Sequence, residues 1–341
     1  MLAMAFAKTG DVDVIEPMDL PVPELLNDEV LVQVKACSLN HLDLWMRKGL
    51  PFKIPMPHIS GCDVTGVVAK LGPSARGFQE GDRVMISPSQ SCGRCEWCSS
   101  GEDSMCSEYK VHGLQTQGGL AEFTKARACD LVPISDAWSF AEWSAVPLVF
   151  LTAWHMLFRR AGMRPGDSVL VQAAGSGVGS AAIQIAKLAG ARVFATAGSD
   201  AKLQLAQELG ADYTINYQTS NFADEVMKRT NKRGVDIVFE HIGESVWKDS
   251  LRCLSRNGRL VTCGATSGPM VNIDLRFVFS RQLTVMGAYM GSRDELLRVA
   301  QLVERRALRP VVDTVMPLRQ AREAQQRMAN REQFGKIVLE P

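Results

Sequence analysis

No stretch of this 341-residue sequence stays apolar for the roughly 18 residues that a bilayer-spanning helix needs. The best run, Ala145 to Phe158, is broken by Thr152 and His155. Net charge is nearly absent as well: 38 Lys and Arg stand against 37 Asp and Glu, a formal +1, so no global field draws the chain onto nucleic acid or an anionic membrane. The opening residues, Met1 to Lys8, lack the basic start and longer apolar core of a secretory signal, so the expectation is a cytoplasmic protein, mature as written. Internal repeats and low-complexity tracts are missing too. What remains is an ordinary globular composition, 46% hydrophobic and 22% charged, over a length that favours two domains. A small molecule is the default partner; neither nucleic acid nor a membrane is expected.

Nine cysteines in a reducing compartment do not form a disulfide framework, and four of them cluster as Cys92-x-x-Cys95-x-x-Cys98-x7-Cys106 in a loop rich in Ser, Gly and charge. Four thiolates fill the tetrahedral shell of Zn²⁺ and leave no open position, so this spacing predicts one structural zinc that orders a lobe at about residues 90–110. An iron–sulfur reading fits less well, because a bacterial ferredoxin run places its fourth cysteine three residues on, before a proline.

Along the chain the period of the pattern changes. Up to about residue 135 the segments are short and strand-like, as in Val30 to Ala36, Asp63 to Lys70 and Glu80 to Ile86, which predicts a β-rich barrel. A helical stretch from Trp138 to Arg160 follows. Strands at Ser168 to Gln172, Arg192 to Thr196, Asp236 to Glu240 and Arg259 to Cys263 then alternate with helices at Gly177 to Ala189 and Asp200 to Leu209, the signature of a parallel sheet covered on both faces. The tail reads as helices Ser292 to Arg306 and Leu318 to Asn330 and a closing strand Lys336 to Leu339. The division expected is a first domain of residues 1–145, completed by about 290–341, and a second of residues 146–289.

Between the strand ending at Gln172 and the next helix lies the turn Ala174-Gly175-Ser176-Gly177-Val178-Gly179. Small residues let the backbone approach a pyrophosphate, and the helix N-terminus offers unpaired N–H groups, although the first two glycines of the usual G-x-G-x-x-G frame are missing. About twenty residues on, where an NAD enzyme places an acid, the strand ends Phe194-Ala-Thr-Ala-Gly198 with no acid before Asp200. Gly198, Ser199 and Lys202 suit a 2′-phosphate, which predicts NADP(H); Lys202 also reads as a solvated helix lysine.

Together with Asn40-His-Leu-Asp43, Gly61-Cys-Asp63, Thr152-Ala-Trp154 and Gly335-Lys336, these motifs resemble the medium-chain dehydrogenase/reductase superfamily over essentially the whole chain. The cysteine loop is similar to the structural zinc lobe of zinc alcohol dehydrogenases, the other motifs to the quinone-oxidoreductase and enoyl-reductase branch. The resemblance implies an α/β fold class: a GroES-like β-barrel substrate domain plus a Rossmann doubly wound parallel sheet of order 3-2-1-4-5-6, in a homodimer or homotetramer. At the positions of the catalytic zinc ligands of alcohol dehydrogenases this chain has Asn40, Cys62 and the Val149-Phe150 region, with Cys37 and His58 out of frame, so no catalytic zinc is expected.

The activity implied is NADPH-dependent hydride transfer to a quinone, an enone or an enoyl thioester, with Asn40, His41, Asp43, Trp45 and Cys62 at the reaction centre. Trp45 stands where relatives often carry a proton-donating tyrosine; proton delivery then falls to water, His41 or Cys62, and Trp45 reads equally as an apolar wall. By resemblance Thr152 faces the nicotinamide, Tyr217 lies near the adenosine phosphate and Lys336 near the pyrophosphate; a helix cap, a strand aromatic and a surface cation are the respective alternatives. His241, at the end of its strand, lines the nicotinamide ribose or is packed in the core. Two rival functions stay open: an alcohol dehydrogenase with an unorthodox metal site, and a non-catalytic NADPH-binding sensor or structural protein.

Overall fold

Along strand Glu29–Ser38, Val30, Val32, Val34 and Ala36 alternate inward at the period of two that a sheet imposes, while Gln33 faces out. The strand pairs antiparallel with Asp63–Leu71. On its other side it holds Phe123–Arg127 against residues 29–33 and Lys336–Glu340 against Cys37 and Ser38. One strand therefore serves both halves of a seven-stranded sheet completed by Arg83–Ile86, Leu131–Pro133 and Val312–Pro317. A three-stranded sheet of Glu16–Asp19, Leu2–Phe6 and His58–Ile59 shares its core through Ala3, Ala5 and Ile59. The computed structural model describes residues 1–341. These sheets belong to one unit, residues 1–148 with 292–341; residues 149–291 form a second.

The second unit is a six-stranded, wholly parallel sheet in the spatial order Tyr213–Asn216, Arg192–Ala197, Ser168–Val171, Val235–Glu240, Leu254–Thr262, Thr284–Gly287. Numbered along the chain this is 3-2-1-4-5-6, the order expected of a Rossmann sheet. Its central strands are buried throughout, as Val169, Leu170, Val171, Ile237, Val238 and Phe239 require when both faces are covered.

Some sequence expectations need correction. The single helical stretch from Trp138 to Arg160 is three pieces: Phe140–Ser144, Pro147–Trp154 and a π-helical turn His155–Arg160. Pro147 explains the first break, since its ring keeps the preceding residue out of the helical region. The strand read from Glu80 begins only at Arg83, because Gly81 turns the chain at φ +94°. Residues 318–320 form a separate 3₁₀ turn ahead of helix Ala321–Ala329. The short helix His41–Lys48 and the strand Val312–Pro317 carried no periodic signal long enough to be read.

Arg47 is fully buried and ties its helix to two distant segments. Its Nε donates to Gln325 Oε1 (3.0 Å), and its Nη1 donates to Gly10 O (3.1 Å) and to exposed Asp11 Oδ1 (3.0 Å). Arg47→Ala leaves the buried Gln325 acceptor unpaired and opens a hole, and is expected to lower unfolding free energy by about 2–4 kcal/mol, read from the denaturant midpoint. His112 is buried in the same unit with Nδ1 unpartnered, and burial pushes its pKa down to about 4 from the ordinary 6.5. The unfolded chain thus binds the extra proton, and stability is lost as pH falls from about 6.5 through about 4. His112→Gln should flatten that acid limb in a pH series of denaturation curves.

Candidate functional site

The register that sets Ser38 opposite Asp63 and beside Val338 brings one end of three strands together, and a buried polar cluster fills that end. Asn40 precedes helix His41–Lys48, and Asp43, one turn in, closes a capping box: its Oδ2 accepts the Asn40 N–H (2.7 Å) and its Oδ1 the Gly61 N–H (3.0 Å). Gly61 has φ +96°, and a Cβ there would stand 2.6 Å from Cys37 Sγ, so no other residue fits. Lys336 Nζ donates to Asn40 Oδ1 (2.6 Å) and Asp63 Oδ2 (2.8 Å). Asn40 Nδ2 donates to Asp63 Oδ2 (2.8 Å) and Cys62 Sγ (3.2 Å), and Leu148 N donates to Asp63 Oδ1 (2.8 Å). Ser38 Oγ donates to the Ser144 carbonyl (2.7 Å).

Burial dominates the electrostatics. It pushes the Asp43 carboxyl up to about 6, against the backbone donors of Asn40 and Gly61 and the Lys336 charge. Burial, reinforced by the Asp63 and Asp43 carboxylates, raises the Cys62 thiol well above its ordinary value and keeps it protonated. Of the five residues expected at the reaction centre, Asn40, Asp43 and Cys62 are thus sealed and engaged with protein. His41 and Trp45 are the two with exposed surface: Trp45 is 38% exposed, and the His41 ring meets it edge-on at 6.0 Å. Burial, then the charges of Arg331 and Lys48, lower the His41 pKa, so its imidazole is neutral at neutral pH. Asp63, present in the sequence only as the end of Gly61-Cys-Asp63, is the acceptor at the centre of this cluster; the sequence signal for it is an acid opening the apolar strand that follows Cys62.

The four clustered cysteines fold into one pocket. Their Sγ atoms all lie within 4.8 Å of one another, with Cys95 and Cys98 at 3.5 Å and Cys92 and Cys98 at 3.9 Å. The backbone N–H groups of Arg94 and Cys95 pull the Cys92 thiol down to about 6. Four thiols converging with no other donor is the set a tetrahedral Zn²⁺ takes.

In the second unit, the chain leaves strand Ser168–Val171 through Ala173, which sits at φ +48°, and enters helix Gly177–Leu188. Ser176 caps that helix by accepting the Gly179 N–H (2.9 Å). A Cβ on Gly179 would stand 2.4 Å from Ala173 O, so this glycine lets the helix close on the strand. Ala174 is buried and donates to Thr196 O (2.8 Å), while Gly175 lies in the turn itself. His241 Nε2 lies 3.0 Å from Gln172 O and 3.4 Å from Ser176 Oγ, tying two strand ends to the cap. Helix geometry leaves the Gly177 and Val178 N–H groups for an outside acceptor.

At the end of strand Arg192–Ala197, Gly198 lies beneath Tyr217, whose hydroxyl would stand 2.6 Å from a Cβ there. Ser199 caps helix Asp200–Glu208 by accepting the Lys202 N–H (3.4 Å), and Asp200 accepts from Asn216 Nδ2 (2.8 Å). Thr152 Oγ1 is buried without a hydrogen-bond partner. The open helix N-terminus, the acid-free strand end and this orphaned hydroxyl fit a dinucleotide.

Residues 26–136 match the family described as alcohol dehydrogenase GroES-like domain, and residues 177–305 match zinc-binding dehydrogenase. A zinc-type alcohol dehydrogenase-like protein of Schizosaccharomyces pombe is 33% identical over 96% of this chain and 95% of its own length. The quinone oxidoreductase of Rattus norvegicus is 27% identical over 94% of this chain and 92% of its own. Among solved structures, an NAD-dependent alcohol dehydrogenase superposes with a TM-score of 0.97 at 45% identity, covering 100% of both chains. Matched along both units and aligned end to end with these relatives, the chain belongs to the medium-chain dehydrogenase/reductase superfamily and is one of its oxidoreductases.

Proposed function

We propose that the protein transfers hydride from NADPH to a quinone or an activated carbon–carbon double bond, without a catalytic zinc. The observation that carries this reading is the Lys336 ammonium, 2.6 Å from Asn40 Oδ1 and 2.8 Å from Asp63 Oδ2. It places a resident ammonium among the residues aligned with the metal ligands of alcohol dehydrogenases, where it already occupies the Asn40 and Asp63 oxygens that a metal ion would need. The Cys62 thiol, protonated and accepting from Asn40, is a poor ligand in this state.

Bound NADPH would supply the hydride, and a conjugated carbonyl or quinone takes the charge without a Lewis acid. The chain's part is to hold and to donate. Gly177, Val178 and Thr152 would meet the cofactor; Ser199, Lys202 and Tyr217 would flank its 2′-phosphate. Lys336 is committed to the cluster, its ammonium taken up by Asn40 and Asp63. Asn40, Asp43 and Asp63 fix helix His41–Lys48, from which the neutral His41 imidazole and the Trp45 indole N–H offer donors to a developing enolate oxygen. The sealed Cys62 is out of reach and the neutral His41 can only hydrogen-bond, which leaves water to deliver the proton. A second reading, an NAD-dependent alcohol dehydrogenase, draws on the name of the 45%-identical relative.

No further strand pairs with the outer edge of Thr284–Gly287, where Arg160 Nε donates to Gly287 O (2.8 Å); Phe279, Val285 and Tyr289 are exposed around it, and we propose that a second copy covers it in a homodimer. No helix is long and apolar enough to cross a membrane. The cytoplasm is the compartment that keeps nine cysteines reduced.

Metal analysis is expected to give one zinc per chain, and NADPH oxidation should proceed with quinones, enones or enoyl thioesters. Two zincs per chain together with alcohol oxidation would replace this reading with the second one. Cys95→Ser should lower stability more than turnover per folded molecule, since the closed site orders a loop.

Cofactor choice is tested by titration. NADPH should bind more tightly than NADH by about five- to a hundredfold, roughly 1–3 kcal/mol, with the margin shrinking as salt rises. Ala197→Asp should reverse the order by repelling the phosphate and accepting the free ribose hydroxyls. Equal affinities in the unaltered protein would show that the acid-free strand end does not select the phosphate.

A further inference from the structure

The four-cysteine loop reaches beyond itself. Between Cys98 and Cys106 the chain makes a 3₁₀ turn, Asp103–Met105, in which the Asp103 carbonyl accepts the Cys106 N–H (3.1 Å) and so sets the fourth thiol in place. The Asp103 side chain is used elsewhere: both carboxylate oxygens accept the backbone N–H of Arg293, at 3.2 Å each. Arg293 is the first residue of helix Arg293–Glu304, one position after the chain re-enters the first unit at Ser292.

A helix start has N–H groups with no intrahelical acceptor. Ser292 Oγ takes that of Glu295 (3.4 Å), and Glu295 returns the bond to Ser292 N (2.8 Å). Asp103 takes that of Arg293 and adds a negative charge at the positive end of the helix. The Arg293 side chain contributes one bond, from Nη2 to Leu131 O (3.1 Å), and its Nη1 is buried without a partner. The metal loop is therefore a principal fastening of this helix start.

We propose that the four-cysteine lobe is a metal-dependent clamp on residues 292–296, with Asp103 as its positioning residue. Resting on the reading of these cysteines as a zinc site, the mechanism is direct: zinc fixes Cys98 and Cys106, these fix the turn between them, and the turn holds the Arg293 N–H through Asp103. Loss of zinc is then felt 190 residues away in sequence, at the point where the chain comes back from the second unit.

Hydrogen exchange read by mass spectrometry, with zinc content measured on the same samples, tests this. In the zinc-loaded full chain, peptides over 292–296 should exchange slowly, and chelation should speed exchange both there and over 92–106. Asp103→Ala should keep one zinc per chain and leave 92–106 protected while exchange at 292–296 rises about five- to thirtyfold, the range expected for losing a helix cap. Asp103→Asn, which keeps one acceptor oxygen, should give a smaller rise; helix Ala321–Ala329 should not respond in either variant. Unchanged exchange at 292–296 in zinc-loaded Asp103→Ala overturns the clamp, as does a chelated protein that loosens only over 92–106. A purified protein without zinc overturns the metal reading itself, and is distinguished from those outcomes by the metal measurement.

Discussion

The ion pair between Lys336 and Asp63 joins residues 273 positions apart in a place where neither side chain meets solvent. Withdrawing two charges from water costs several kcal/mol for each, and their attraction offsets this only when the remaining hydrogen-bonding capacity is also used. Here it is: Asn40 bonds to both members of the pair and Leu148 N reaches the second carboxylate oxygen. Removing either charge would strand the other, at about 3–5 kcal/mol. The position of Asn40, the start of helix His41–Lys48 and the seat of Cys62 all follow from this arrangement.

The same economy of contacts separates what holds the sites from what faces out. In the first unit the charged and amide groups are occupied with one another, and helix His41–Lys48 presents His41 and Trp45. In the second, Ser176, His241 and Gly179 build the turn, while backbone N–H groups and the Thr152 hydroxyl are left over. Neither arrangement tolerates a side chain at its tightest point, Gly61 in one case and Gly179 in the other.

The parallel sheet is legible in the sequence because short apolar strands alternate with helices that bear clear caps, and the strand order comes with the family. The cysteine cluster is legible from spacing alone, since one short loop brings all four thiols together. The polar cluster is not. The motifs point to Asn40, Cys62 and Lys336 one by one, but their union depends on the register of three strands and on a pairing across most of the chain, neither of which leaves a local trace. Nor does spacing reveal that Cys62 would be sealed, because burial is decided by what packs over a residue. The break at Pro147 is legible in the residue itself, because a proline restricts the residue before it.

Strand Lys336–Glu340 lies between Glu29–Ser38 and Val312–Pro317, so the first unit is stitched shut by one of its last-made segments. Residues 149–291 form a contiguous stretch, whereas the first unit has to wait. On the ribosome the nucleotide-type sheet can be complete while the larger sheet still lacks an interior strand, its edges and the Asp63 carboxylate uncovered. The nascent chain thus passes through a stage in which its earlier-made half is the unfinished one, and that half is the one a chaperone would have to shield.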